Sequence, residues 1–379
     1  MSIKTAEKNS RLGVVECWVC MASQFKYILW FEECNKGALS LVGGKNANLG
    51  ELVNAGIRVP PGFAVTSAAF KRYMDEALLW DLVRDTLSDL SPDDIKEVSK
   101  AGSAIRRGIL STPVPEEIRG EITAAYGSLC HRCGVSDLPV AVRSSATAED
   151  LEDASFAGQQ DTYLWIWGNN EVVKATHECW ASLFTDRAIT YRMRVGFPQD
   201  GVLISVGIQK MVNSRSAGVM FTLDPVTGDR FRITIDANWG FGESIVQGMV
   251  SPDNFVVDKE SLSIEQSIVG QKDRKYVAKG CGTAVVSVPP EEQVIPCVSV
   301  AEVKELAEMG MRIEKHYGRP QDIEWAIDRG LSFPDNIFFT QSRPVTAAGK
   351  SSFDGDVVKE EGKSDTDHII DLMLKGFGR

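Results

Sequence analysis

An α+β fold, with mixed or antiparallel sheets and flanking helices, is what this sequence predicts. Three observations point there. Strand-like runs follow one another with short breaks from Val202 to Tyr276. Near the C-terminus, the alternating run DIEWAID (Asp322–Asp328) and the run Ile337–Gln341 are spaced to pair antiparallel. Between and before these lie helical patterns of period 3.6, at Glu171–Val195 and Val303–Tyr317. The 379 residues suffice for two domains or one large two-lobed domain, and a hydrophobic content of 43% supplies a sizeable core.

Charge and composition exclude several partners. A net charge of −11 argues against a nucleic-acid surface, which needs clustered Lys and Arg. No run of about 18 apolar residues is present, so nothing reads as a membrane span. Eight cysteines in a chain this long fit reduced thiols in the cytoplasm better than a disulfide framework. Two CxxC pairs, Cys17/Cys20 and Cys130/Cys133, are separated by far more than the roughly 15–20 residues of a zinc ribbon. Free thiols are the expected state.

Residues 1–26 read as an extension, disordered and outside the fold. Their apolar run Leu12–Ala22 imitates a signal peptide, but Glu16 interrupts it and no cleavage-like site follows. Met21 then stands as an alternative start. Tyr27–Phe31 reads as a first strand. In LVGGKNANLGELVNAGIRVPPGFAVT, Gly43 and Gly44 break the chain before a helix expected to begin near Asn46 and to end at Gly56. Lys45 stands at that junction, where an ammonium and helix amides can meet one anion. A solvated lysine beside a glycine break has the same local look.

Residues 67–130 read as helical scaffolding. Phe70, Met74 and Leu78 share a face, and Ser91–Pro92 reads as a helix start. Then comes PVAVRSSATAEDLEDASFAGQQDTYL, Pro139–Leu164. A short strand ends in Arg143, hydroxyls follow, and small residues lead to a second strand. Such loops let a backbone approach an anion, and a guanidinium fork suits phosphate. A polar hairpin with a surface arginine is the other reading. Glu171–Val195 is expected as one helix, with His177 a packed or edge residue. Cys281–Cys297 is expected as a connection. In DIEWAID, Asp322 and Glu324 point to one side, and Gln341 on the next strand faces the same place. Oxygen ligands on paired strands suit Mg²⁺ on a nucleotide.

GGKNANLGEL, AVRSSATAED, FAGQQDTYL, SAGVMFTLDP, WGFGESIVQG, IEKHYGRPQDIEWA and TQSRP together resemble the nucleotide-binding domain of the phosphoenolpyruvate synthase and pyruvate phosphate dikinase family. The resemblance covers about Tyr27 to Thr346. It implies an ATP-grasp fold in which two lobes clamp ATP: residues 27–205 the N-terminal lobe, 206–347 the C-terminal lobe, and 348–379 a polar tail. It implies that Lys45, Arg143 and Arg343 contact phosphates. Gly158 and Thr162 then lie beside the triphosphate and Gln209 near the adenine. Glu324 and Gln341 hold Mg²⁺ or Mn²⁺, with Asp322 in support.

Family members continue into a swivelling domain with a phosphocarrier histidine. The four histidines of this sequence, His131, His177, His316 and His368, lack that Thr/Gly-rich setting. A histidine-swivel partner subunit is therefore expected. This split arrangement resembles the beta subunit of phenylphosphate synthase, which implies phenol as acceptor, with AMP and phosphate released. Pyruvate or an antibiotic as acceptor, or a non-catalytic nucleotide sensor, are the alternatives.

Overall fold

The computed structural model describes residues 26–345, apart from 148–149, 152–153, 156–160 and 201; of residues 150, 151, 154 and 155 only the backbone is described. The strands of the first half are β1 (Ile28–Trp30), β2 (Gly62–Val65), β3 (Val140–Ala146), the two-residue pair β4 (Asp150–Leu151) and β5 (Ala154–Ser155), β6 (Thr162–Ile166) and β7 (Ile204–Lys210). Those of the second half are β8 (Ser214–Phe221), β9 (Arg232–Trp239), β10 (Asp253–Asp258), β11 (Ile264–Ile268), β12 (Arg274–Ala278), β13 (Thr283–Ser287), β14 (Gln321–Asp328) and β15 (Ile337–Pro344).

They build a five-stranded sheet, β1-β2-β7-β3-β6, and a six-stranded sheet, β11-β10-β9-β8-β14-β15. Neighbours in both are antiparallel. This is the expected α+β architecture. The expected lobe boundary at 205/206 falls inside β7, which stays in the first sheet as far as Lys210; the chain changes sheet over residues 211–213.

Strand alternation gives each sheet two faces. In the first sheet, Phe63, Val65, Val140, Val142, Val206 and Ile208 bury against the helices that follow β2 and β6. There Tyr73 stacks on Trp180 at 5.1 Å between ring centres. Leu29 and Ala64, on the opposite face, pack with Val42, Ala47 and Leu49 of helix Leu39–Asn54. In the second sheet, Ile323, Trp325 and Ile327 face helix Val300–Tyr317 through Val303, Leu306 and Ile313. Leu52 and Ile57 join that second core as well, so helix Leu39–Asn54 ties the lobes together.

Several local expectations change. The helix begins at Leu39, not near Asn46, and runs through a break at Gly43; it ends at Asn54, with Gly56 beyond it. Leu78 is 70% exposed with a positive φ, and so leaves the face of Phe70 and Met74. The helix after Ser91 starts at Ile95, capped by Asp94, whose carboxylate accepts from the Glu97 amide. Glu171–Val195 divides into Asn169–Ser182 and Asp186–Val195, because Thr185 caps a new start. Residues 281–297 contain β13, which pairs with β12 as a hairpin. Residues 1–25 and the tail lie outside the described residues, whereas Lys26 is already tied in by its carbonyl, which accepts from the Thr66 hydroxyl.

Candidate active site

The faces of the two sheets that carry no large helix core meet across a cleft of about 770 Å³. Lys45, Arg143, Thr162 and Gln209 line it from the first lobe, and Glu324, Gln341 and Arg343 from the second. Seven residues distributed over 299 positions of sequence are thus brought to one place. Asp322 lies beside it and not in its lining, while Gly158 falls outside the described residues.

The second-lobe wall follows from strand register. Glu324 pairs with Gln341, and Asp322 with Arg343. The register slips between Glu324 and Trp325, leaving Thr340 without an opposite residue. That bulge decides the chemistry. By plain alternation Gln341 would share the core-facing side of Phe339; the extra residue turns it to the cleft. It also turns the Thr340 carbonyl toward the first lobe, where it accepts from Arg143 Nη1 at 3.2 Å. Arg343 donates from Nε and Nη2 to Asp322 Oδ2, both at 2.8 Å. Asp322 therefore orients a cation rather than presenting a bare carboxylate.

Arg143 is the side chain that crosses the cleft. It leaves β3, approaches Glu324 Oε2 to 3.9 Å and is only 20% exposed. Among the described residues its buried Nε has no hydrogen-bond partner. A buried guanidinium N–H left open at a cleft is a donor waiting for an acceptor. Lys45 reaches the same region, its Nζ donating to the Ser144 carbonyl at 3.3 Å. The backbone at Gly43 allows this. It has φ +69°, and a Cβ there would stand 2.3 Å from the Ser145 carbonyl oxygen. Gln209 is buried, with its Nε2 donating to the Pro60 carbonyl at 3.4 Å. Thr162 is exposed and stands opposite Arg143 in the sheet.

The donor set fits a nucleotide-borne Mg²⁺. Glu324 and Gln341 offer two hard oxygens on adjacent strands, and such an ion takes its remaining ligands from phosphates and water. Among the described residues no group of three or more His, Cys, Asp or Glu gathers into an all-protein cage. Two cationic cleft residues escaped the sequence reading: Arg187, at the start of helix Asp186–Val195, and Lys210, at the end of β7. Neither carries a local motif, so only the tertiary fold reveals them. The sequence places Asn46 only near a helix start, with no signal that its side chain is buried behind Lys45.

A model of the pyruvate phosphate dikinase AMP/ATP-binding domain matches residues 39–363. The chain belongs to that family. It is an ATP-binding domain of the dikinase type, and its two-lobed α/β architecture is the ATP-grasp-like one of the family. A probable phosphoenolpyruvate synthase of Staphylothermus marinus is 46% identical over 344 residues, covering 85% of this chain and 41% of that protein. One from Methanocaldococcus jannaschii is 42% identical, covering 93% of this chain and 29% of that protein. The phosphoenolpyruvate synthase of Pyrococcus furiosus is 40% identical, covering 93% and 47%. The chain thus spans less than half the length of each of these relatives. Among the described residues, no helix is long and apolar enough to cross a membrane.

Proposed function

We propose that this chain binds Mg-ATP in the cleft and drives a dikinase-type transfer in the cytoplasm. The β-phosphoryl group of ATP passes to an imidazole presented by a histidine-swivel partner. One water molecule is consumed in cleaving the second anhydride bond, so that AMP and phosphate leave, and the imidazole-borne phosphoryl group then moves to a small acceptor. The observation that carries the reading is Arg143, with its open buried Nε, set between Lys45, Glu324 and Gln341 across one cleft. Lys45, Arg143 and Arg343 would meet phosphate oxygens as charge develops on them. Glu324 and Gln341 would hold Mg²⁺, which when bound neutralises charge across the phosphates. Closure of the two lobes would exclude bulk water, so that the β-phosphoryl group reaches the imidazole while hydrolysis is confined to the anhydride bond that releases phosphate.

An outside imidazole is favoured by where the histidines lie. Among the described residues none lines the cleft. His177 Nε2 is engaged with Tyr73 Oη and the Ile109 carbonyl, each at 3.0 Å. His316 Nε2 faces Glu51 at 3.3 Å. The expected final acceptor, phenol, gains no support from the relatives above; their name favours pyruvate.

Incubation with ATP labelled in its β-phosphate tests the scheme. The chain alone should bind Mg-ATP and stay unlabelled. A histidine-swivel protein should then acquire acid-labile, base-stable label as AMP appears. Discharge by pyruvate, and not by phenol, would fix the acceptor. Stable label on this chain alone would overturn the partner-dependent scheme.

A further inference from the structure

Behind Lys45 the structure holds a buried polar seat that the transfer scheme does not use. Asn46 is 2% exposed. Its Nδ2 donates to the Val42 carbonyl at 3.0 Å and to Ser205 Oγ at 3.1 Å, and its backbone N–H donates to Ser145 Oγ at 3.4 Å. Ser205 Oγ in turn donates to the Val65 carbonyl at 2.8 Å. That serine's proton is committed, so its oxygen can only accept from Asn46. The Val42 carbonyl can only accept as well, which fixes which end of the amide is the donor.

The seat lies where the helix breaks. Val42 directly precedes Gly43, the residue at φ +69° and ψ 170°. The Asn46 side chain therefore ties the turn before the break to β7, while Gly43 rests on Ser145 of β3 and Lys45 reaches Ser144 of the same strand. On the other side, Gly207 leaves the room Asn46 needs. A Cβ at residue 207 would stand 2.3 Å from Asn46 Oδ1 and 3.3 Å from its Cγ. Asn46, Ser145, Ser205 and Gly207 come together because Ser145, Ser205 and Gly207 share one sheet face, that of Arg143.

We propose that Asn46 is a positioning residue. It holds the broken segment Gly43–Lys45 against β3 and β7, and so sets the Lys45 ammonium in the cleft beside Arg143. The inference rests on the reading that Lys45 meets the nucleotide phosphates. A side chain that fixes a catalytic group's geometry acts on the transition state more than on ground-state binding.

The test compares five variants of the full chain by ATP affinity from calorimetry, thermal midpoint, and phosphoryl-transfer rate to the partner. Lys45→Met should weaken both binding and transfer. Asn46→Ala should lower kcat by on the order of tenfold, with a much smaller change in KM or Kd for ATP. Gly207→Ala pushes Asn46 out of its seat and should give the same split. In the double variant Asn46→Ala/Gly207→Ala the clash partner is gone, so its rate should match Asn46→Ala alone. Should Asn46→Ala fail to fold, Ser205→Ala removes one acceptor only and should show the split to a smaller degree. Wild-type binding and transfer in Lys45→Met would overturn the phosphate reading together with this inference. A disabled Lys45→Met beside wild-type kcat in Asn46→Ala and Ser205→Ala would overturn the positioning role alone. Strictly additive losses at 46 and 207 would do the same.

Discussion

The two walls of the cleft are built by different means. The second-lobe wall is a strand pair: Glu324 opposite Gln341, Asp322 opposite Arg343, aimed by one bulge at Thr340. Its geometry is fixed by backbone hydrogen bonds between neighbouring strands. The first-lobe wall is assembled from distant pieces. Lys45 and Ser144 are 99 residues apart, and Asn46 and Ser205 are 159 apart. Here a helix break, two serines and a glycine do what register does on the other side. A wall made by register should tolerate loss of a side chain without losing its shape. A wall made by packing should lose both.

Glu324→Gln is the sharpest way to probe the first half of that contrast, and the largest effect we expect. Glu324 is a half-buried side chain on a strand whose core-facing neighbours, Ile323 and Trp325, stay in place. Its one ion pair, with Arg143, is long at 3.9 Å and partly exposed, so stability should change by no more than about 1 kcal/mol. Phosphoryl transfer should fall on the order of 10²-fold or more, the loss typical of a damaged metal site. Transfer in the reconstituted system and a melting curve measure the two. Near-normal transfer would put the metal elsewhere; a large drop in thermal midpoint would mean that register alone does not hold this wall.

How much of this could be read from the sequence follows the same division. DIEWAID and the run after Ile337 placed Glu324 and Gln341 on neighbouring strands, because period-two alternation is local and visible. The bulge was not visible, although it is what turns Gln341 to the cleft. Gly43–Lys45 could be marked as a break, but nothing in the spacing says which strand it will meet. Lys45 and Arg143 could be read locally as anion candidates, each beside a plain surface reading that the resemblance set aside, whereas Gln209 entered only through the resemblance. Arg187 and Lys210 entered through neither, since a lone basic residue at the end of an element carries no pattern. The split of Glu171–Val195 was missed because the apolar period continues across Thr185, and the cap there interrupts it without a Gly or Pro.

Arg143 belongs to the first wall but touches the second, so it tests whether the walls act as one site. Its Nη1 bond to the Thr340 carbonyl and its approach to Glu324 depend on a planar fork. In Arg143→Lys the charge remains and the fork is lost. Hydrogen bonds to charged groups contribute roughly 1.5–3 kcal/mol, so transfer should fall about 10- to 100-fold. ATP affinity should change less. Full activity in the lysine variant would remove the fork-to-phosphate role and leave only a point charge.

The smallest effect expected lies away from both walls and sharpens the contrast by showing what the first-lobe core does alone. His177 sits among Tyr73, Trp180 and the Ile109 carbonyl. Burial depresses its pKa below the usual 6.5, against the opposing pull of the Ile109 hydrogen bond. The folded chain thus favours the neutral ring, while the unfolded chain titrates near 6.5. Below that pH the unfolded state binds more protons, so stability is present above about 6.5 and is lost as pH falls toward the depressed folded value. His177→Gln keeps a donor for the Ile109 carbonyl and does not titrate. The difference in thermal midpoint between wild type and this variant should be constant from about pH 7 to 8. It should shift in the variant's favour between about pH 6.5 and 5, with kcat at pH 8 unchanged because His177 does not line the cleft. A difference that stays flat through the acid range would show that the ring is not held neutral by its surroundings.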